Sequence, residues 1–212
     1  SLCYFCPKIE LMGLHVDPRA KGLIFDLDGT LSDSLPVHLA TWNKIGSSIG
    51  FVFNERLVYE LTGMPTIAFA QRIIQDNGLH VSAAELAKMK QEAFWEAVHL
   101  VRPVELVVEI VKTWHGKLPM SVGTGASRKS ATMQLEELGL TPYFNFIITS
   151  DDVTRHKPHP ETFLECARLM KVAPSACQVF EDGILGMEAA RTAGMMVTDV
   201  RPYINYGNWA LS

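Results

Sequence analysis

No apolar run in the chain reaches the roughly 18 residues that a membrane-spanning helix needs, so no such span is expected. Positive charge is not in excess either: 19 Lys and Arg stand against 23 Asp and Glu, a net charge of −4. That argues against a protein that grips nucleic acid or anionic membrane through a basic surface. Cysteine is scarce, with only Cys3, Cys6, Cys166 and Cys177 in 212 residues. Four thiols in a chain of this length make no disulfide scaffold, and a reducing, cytoplasmic setting is the default expectation. Cys3 and Cys6 have C-x-x-C spacing, but no second pair and no H-x-x-x-H follows. Unpaired thiols in a terminal extension are therefore the plainer reading. Ser1 to Val16 lacks a basic stretch followed by a clean apolar one, and is not read as a signal peptide. Internal repeats and low-complexity segments are absent.

What remains is a globular balance, 48% hydrophobic and 20% charged, enough for one sizeable core or a core plus a small accessory domain. Lys21–Phe25 is a short apolar run ending at Asp26-Leu-Asp28-Gly-Thr30. Four more runs follow at Pro119–Gly123, Asn145–Thr149, Cys177–Glu181 and Met195–Val200. Helical patterns alternate with them at Ser127–Leu138, Pro160–Met170 and Ile184–Ala193, with Gly139 and Gly194 placed as helix stops. Strands alternating with helices predict an α/β fold, a Rossmann-like parallel sheet covered on both faces. The stretch 34–101 breaks this rhythm. Helices are predicted at Pro36–Ile49, Thr66–Asn77 and Ser82–Leu100, the last opening on a capping box of Ser82 and Glu85. The expected organisation is a core of residues 1–33 and 102–212, with 1–20 as an N-terminal extension, and an inserted helical cap domain of residues 34–101. The core resumes with a helix from about Pro103 to Trp114.

Ligands of open α/β sheets bind at the carboxyl ends of strands, and polar residues gather at those ends here. Asp26 and Asp28 follow the first strand, two like charges so close that a cation or proton is needed between them. A solvated D-G turn is the plain alternative. Thr124, between Gly123 and Gly125, can offer a hydroxyl and backbone N–H groups to an anion, or simply start a helix. Lys157 lies in a loop stiffened by Pro158 and Pro160, and can meet a phosphate oxygen or merely face solvent. Glu181-Asp182 supplies oxygen ligands of the kind magnesium prefers, unless Asp182 only caps the next helix. Gly123 to Ser130 nearly matches the nucleotide P-loop, but Arg128 stands where glycine is required, and the match fails.

Together these residues resemble the haloacid-dehalogenase-like superfamily. Asp26-Leu-Asp28-Gly-Thr30 looks like its first motif, Thr124 its second, Lys157 its third and Glu181-Asp182 its fourth. Phe180 to Met195 resembles the β-phosphoglucomutase-like subfamily, and Thr113-Trp-His-Gly116 with Pro119 to Gly125 adds a resemblance, within it, to bacterial fructose-1-phosphate phosphatase-like proteins. The likeness runs from about Lys21 to Arg201. It implies a phosphohydrolase of small sugar phosphates with Mg2+ as cofactor. Asp26 would be the nucleophile and Asp28 the acid and base. Thr124, Gly125 and Lys157 would hold the phosphoryl group. The metal would sit on Asp26, the Asp28 carbonyl and Asp182, with Glu181 as ligand or neighbour. His38 and Trp42 fall at substrate-facing cap positions, Ser34 at the hinge, though helical spacing also allows His38 and Trp42 to be packing residues. Mutase members carry an arginine where Thr66 stands, which favours hydrolysis over a phosphosugar mutase. The remaining alternative is a non-catalytic phosphate-binding regulator, which would have no need to keep both Asp26 and Asp28. Expected partners are a phosphorylated sugar, no nucleic acid and no membrane, in a monomer or weak dimer.

Overall fold

The computed structural model describes residues 13–204; Cys3 and Cys6 lie outside the described residues. Leu14, Val16 and Ala20 already pack on the main core, and Asp17 N–H donates to Gln178 Oε1 at 2.8 Å. Strand β1 (Gly22–Phe25) is buried throughout and leads into a two-residue strand, β2 (Ser32–Asp33). Four helices follow: α1 (Leu35–Ile49), α2 (Arg56–Leu61), α3 (Thr66–Asn77) and α4 (Ala83–Ala97). Strand β3 (Arg102–Pro103) then pairs antiparallel with β2. These two short strands form the neck through which the chain leaves the sheet and returns. Helix α5 (Glu105–Trp114) opens a regular alternation: β4 (Met120–Gly123), α6 (Arg128–Glu137), β5 (Phe146–Ile148), α7 (Glu161–Met170), β6 (Cys177–Glu181), α8 (Ile184–Thr192) and β7 (Met196–Asp199).

Among the described residues, five strands form one parallel sheet in the order β5-β4-β1-β6-β7. Alternation along β1 and β6 splits the core in two. Leu23, Phe25 and Phe180 face α5 and α6 in one cluster, where the Phe25 and Phe180 rings stack at 4.9 Å. Ile24 and Val179 face α7 and α8 in the other, with Phe163 and Cys166. From β1 the chain turns toward β4, and from β6 it turns toward β7. The crevice beyond the carboxyl ends of β1 and β6 is thus the switch point where such sheets bind ligands.

The helices of the insertion have a core of their own, built on Trp42, Ile45, Phe53, Leu57, Val58, Ala70, Ile73 and Leu86. The capping box at Ser82 forms as expected, with Glu85 N–H donating to Ser82 Oγ and Ser82 N–H donating to Glu85. Three local features differ from the sequence expectation. Helix α2 is too short to show a period. Pro103 belongs to the neck instead of the next helix. Residues 98–100 tighten into a 3-10 turn at the end of α4. No helix of the described residues is long and apolar enough to cross a membrane.

Phe180 is fully buried between the stacked Phe25 ring and helices α5 and α6. Phe180→Ala should destabilise the fold by about 3–5 kcal/mol, read as a lowered urea midpoint with an unchanged slope.

Candidate active site

At the end of β1, Asp26 places its carboxylate in a buried pocket. Lys157 Nζ donates to Asp26 Oδ1 at 2.7 Å and to Glu181 Oε2 at 2.7 Å. Lys157 is 1% exposed, Asp26 2% and Glu181 0%. A lysine buried so completely is not the surface residue that the loop sequence also allowed. Glu181 Oε1 accepts from the backbone N–H groups of Asp182 and Gly183. A methyl group on residue 186 would lie 2.0 Å from Glu181 Oε2, so only glycine lets helix α8 start this close to the carboxylate. Asp182 does not cap α8: Gly183 holds that position, and Asp182 Oδ1 accepts from Thr30 Oγ1 at 2.9 Å.

Asp26, Glu181 and Asp182 offer carboxylate oxygens that lie within 4.8 Å of one another. Three carboxylates against one ammonium leave a buried excess of negative charge. Burial and then Glu181 push Asp26 up to about 8, against the pull of Lys157. Burial, Glu181 and Asp26 likewise push Asp182 well above the usual carboxylate range. An all-oxygen donor set with excess negative charge suits a hard divalent cation. The donor chemistry therefore fits a metal of the magnesium or calcium type.

Asp28 lies in a different setting. Three donors converge on its Oδ1: Ser34 Oγ at 2.6 Å, His38 Nε2 at 2.9 Å and Gln134 Nε2 at 2.9 Å. Burial raises the carboxyl and these hydrogen bonds lower it; a charged His38 would lower it further, and with the ring neutral the hydrogen bonds alone act against the cost of burial. Ser34 begins α1 but spends its hydroxyl on Asp28, and makes no side-chain cap. His38 stacks on Phe94 at 4.3 Å, and its Nδ1 lies 2.5 Å from Lys90 Nζ. An ammonium only donates, so Nδ1 accepts and Nε2 carries the hydrogen given to Asp28. Burial and the Lys90 charge lower the His38 pKa, consistent with a neutral ring. Burial also brings Lys90 down to about 8.

Thr124 is buried at the end of β4, where its N–H donates to Ile148 O and its Oγ1 accepts from Ala126 N–H at 3.0 Å. It stands ahead of α6, whose N-cap is Ser127, so the helix terminus is not the group it presents. Next to it, Gly125 runs directly beneath the loop between α2 and α3. A Cβ there would lie 2.1 Å from Gly63 O. Trp42 is 2% exposed and stacks on Phe53 at 5.6 Å, so packing within the insertion accounts for most of its surface. One cavity is lined by Asp26, Asp28, His38, Trp42, Thr66 and Thr124, with Gly125, Lys90 and Gln134 also in its wall. Lys157, Glu181 and Asp182 sit just behind it, joined through Asp26.

Of the cavity residues that partner Asp28 or His38, two escaped sequence reasoning. Lys90 falls on the apolar face of α4, at i+4 from Leu86 and i−4 from Phe94, all three buried. Gln134 falls on the buried face of α6 between Ala131 and Leu135. A polar residue in an apolar stripe was the available signal for both.

Comparison with known proteins agrees with this geometry. Residues 23–200 match the family described as haloacid dehalogenase-like hydrolase. The chain is 43% identical over 184 residues to the fructose-1-phosphate phosphatase YqaB of Escherichia coli, covering 86% of this chain and 97% of that protein. It is 29% identical to a phosphorylated carbohydrates phosphatase of Thermotoga maritima, covering 82% of each. A crystal structure of β-phosphoglucomutase from Clostridium difficile shares the fold with a TM-score of 0.75 at 23% identity, over 85% of this chain and 84% of that one. The cluster at the carboxyl ends of β1 and β6 and the match across nearly the whole chain lead to one assignment: this protein belongs to the haloacid dehalogenase-like hydrolases.

Proposed function

We propose that the protein is a magnesium-dependent phosphohydrolase that frees phosphate from small sugar phosphates, such as fructose 1-phosphate, through a phospho-aspartate. The reading rests on one observation above the rest. A buried Asp26–Lys157–Glu181–Asp182 cluster stands beside a second aspartate, Asp28, that is separately held by three donors. Two neighbouring carboxylates with environments this different are suited to different roles. The 43% identity to a fructose-1-phosphate phosphatase supports the substrate class.

Asp26 is the nucleophile. Its oxygen attacks phosphorus, the bond from phosphorus to the sugar oxygen breaks, and Asp28 gives that oxygen a proton. Asp28 then takes a proton from the water that attacks the phospho-aspartate, and Asp26 is restored. Splitting one transfer into two lowers each barrier, and a placed acid is worth roughly 10²- to 10⁴-fold. Lys157 uses two of its three N–H donors on Asp26 and Glu181. The third serves a phosphoryl oxygen, as does Thr124, with Gly125 leaving backbone room for the group. Asp26, Asp182 and the Asp28 carbonyl would hold Mg2+, with Glu181 behind them steadying Lys157. Magnesium, when bound, neutralises the charge of the carboxylates and the phosphoryl oxygens.

Residues 34–101 act as a cap on a core of residues 1–33 and 102–212. His38 steadies Asp28, and Trp42 shapes the wall of the sugar site. Thr66 lines the cavity but carries no charge for a second phosphate, so hydrolysis is favoured over isomerisation. The protein works in the cytoplasm as a monomer or weak dimer.

Phosphate release from fructose 1-phosphate, glucose 6-phosphate, β-glucose 1-phosphate and 6-phosphogluconate should require Mg2+ and fall to background in Asp26→Asn. Conversion of β-glucose 1-phosphate to glucose 6-phosphate without release would replace this reading with a mutase.

A second expectation concerns the metal alone. With Asp26 raised to about 8 and Asp182 raised as well, the metal-free native state keeps protons that the unfolded chain loses near pH 4. Native stability from these groups therefore falls as pH rises between about 4 and 8. Mg2+ binds the ionised carboxylates and reverses that loss. Saturating Mg2+ should raise Tm by about 5–10 °C at pH 8 and by less at pH 6, and Asp182→Asn should lose most of the gain. An equal shift at both pH values in a melting assay would contradict the site.

A further inference from the structure

The hold on Asp28 comes from two parts of the molecule. Ser34 and His38 belong to the insertion and its edge, at the start and in the first turns of α1. Gln134 comes from the opposite direction, from α6 of the sheet core. It is the one donor to Asp28 Oδ1 among the described residues that does not travel with the helical insertion. Gln134 is fully buried between the apolar residues Ala131 and Leu135, which pack into the main core. Asp28 fixes its orientation: Oδ1 accepts whether the carboxyl is ionised or carries a proton on Oδ2, so the amide turns its Nε2 toward it. The other end of the amide, Oε1, is buried without a hydrogen-bond partner. A glutamine kept only for packing would satisfy both ends or give way to an apolar residue. This one has a single hydrogen bond, and it goes to Asp28.

We propose that Gln134 is a positioning residue for leaving-group protonation, holding Asp28 Oδ1 from the core side. This rests on the phosphohydrolase reading above. Three donors on one oxygen make it the poorest place for a proton, so the proton that Asp28 delivers rides on Oδ2. Gln134 keeps that assignment, and the angle of the carboxyl, tied to the sheet that also carries Asp26. In the first half-reaction the sugar oxygen leaves phosphorus and takes the Oδ2 proton. Gln134 exchanges no proton and contacts no reacting atom.

The test compares two leaving groups. A sugar alkoxide needs a proton to depart, whereas the acetate of acetyl phosphate does not. The quantity read is kcat/KM, which covers steps up to departure of the leaving group. Gln134→Met keeps the shape and removes the donor. It should lower kcat/KM for fructose 1-phosphate, or the best sugar phosphate found, by about 10- to 100-fold and leave acetyl phosphate within about twofold. Gln134→Glu keeps the length but turns an acceptor on Asp28, and should lose at least as much on the sugar phosphate alone. Equal losses on both substrates in both variants would mean a general structural role and overturn the proposal, as would no loss on either. A parent protein that turns over neither substrate would instead sink the phosphohydrolase reading, and this inference with it.

Discussion

Much of this structure is arranged around one buried ammonium. Lys157 contacts Asp26 and Glu181 at equal distance, and none of the three reaches solvent to any useful extent. Burying charges is expensive, and an ion pair offsets that cost only when its geometry is tight and its remaining valences are satisfied. Here the backbone N–H groups after β6 satisfy Glu181, and Thr30 satisfies one oxygen of Asp182. The sheet order makes this possible. Only with β1 beside β6 do the ends of two strands, 152 residues apart along the chain between Thr30 and Asp182, face each other across hydrogen-bonding distance. The positive charge still falls short of the negative: burial first, and then the neighbouring carboxylates, raise Asp26 and Asp182. A stable core would not need such a deficit, and a hard divalent cation would offset it.

The strands and the polar residues at their ends were legible in the sequence, for a physical reason. A parallel strand buried on both faces is a short apolar run with a polar stop, as at Phe25–Asp26 and Phe180–Glu181, and both the run and the stop are local. The alternating helices were legible within a residue or two at each end. Other features depend on distant partners. The neck strands are two residues each and have no period to read. Helix α2 is held by packing of Leu57 and Val58 within the insertion. The partners of Asp28 were the least visible. Lys90 reads as a charge on the wrong face of α4 and Gln134 as a polar intruder in α6, and neither pattern says where its head group goes. Thr124 shows the reverse case: its residue type was informative, but the helix terminus expected at it begins later, at Ser127.

The two aspartates of the first strand end show why spacing alone could not assign them. They are two residues apart, yet burial and a neighbouring carboxylate raise Asp26 while hydrogen bonds lower Asp28. The turn makes this division. Gly29 N–H donates to Ser32 O, and the N–H groups of Leu31 and Ser32 both donate back to Leu27 O. That tight loop turns Asp28 away from the Lys157 pocket and toward α1 and α6, so each carboxyl meets its own set of partners.

The same division ties protonation to the position of the helices. The chain of contacts from Lys90 through His38 to Asp28 runs from α4 across α1 to the core, and it is complete in this arrangement, with Gly63 lying over Gly125. Moving the helices off the core would take Lys90 and His38 from Asp28 while leaving Asp26, Lys157, Glu181 and Asp182 intact, since that cluster draws on the sheet side alone. The Asp26–Lys157–Glu181–Asp182 cluster is thus built into the core, and the hold on Asp28 is built jointly with the insertion.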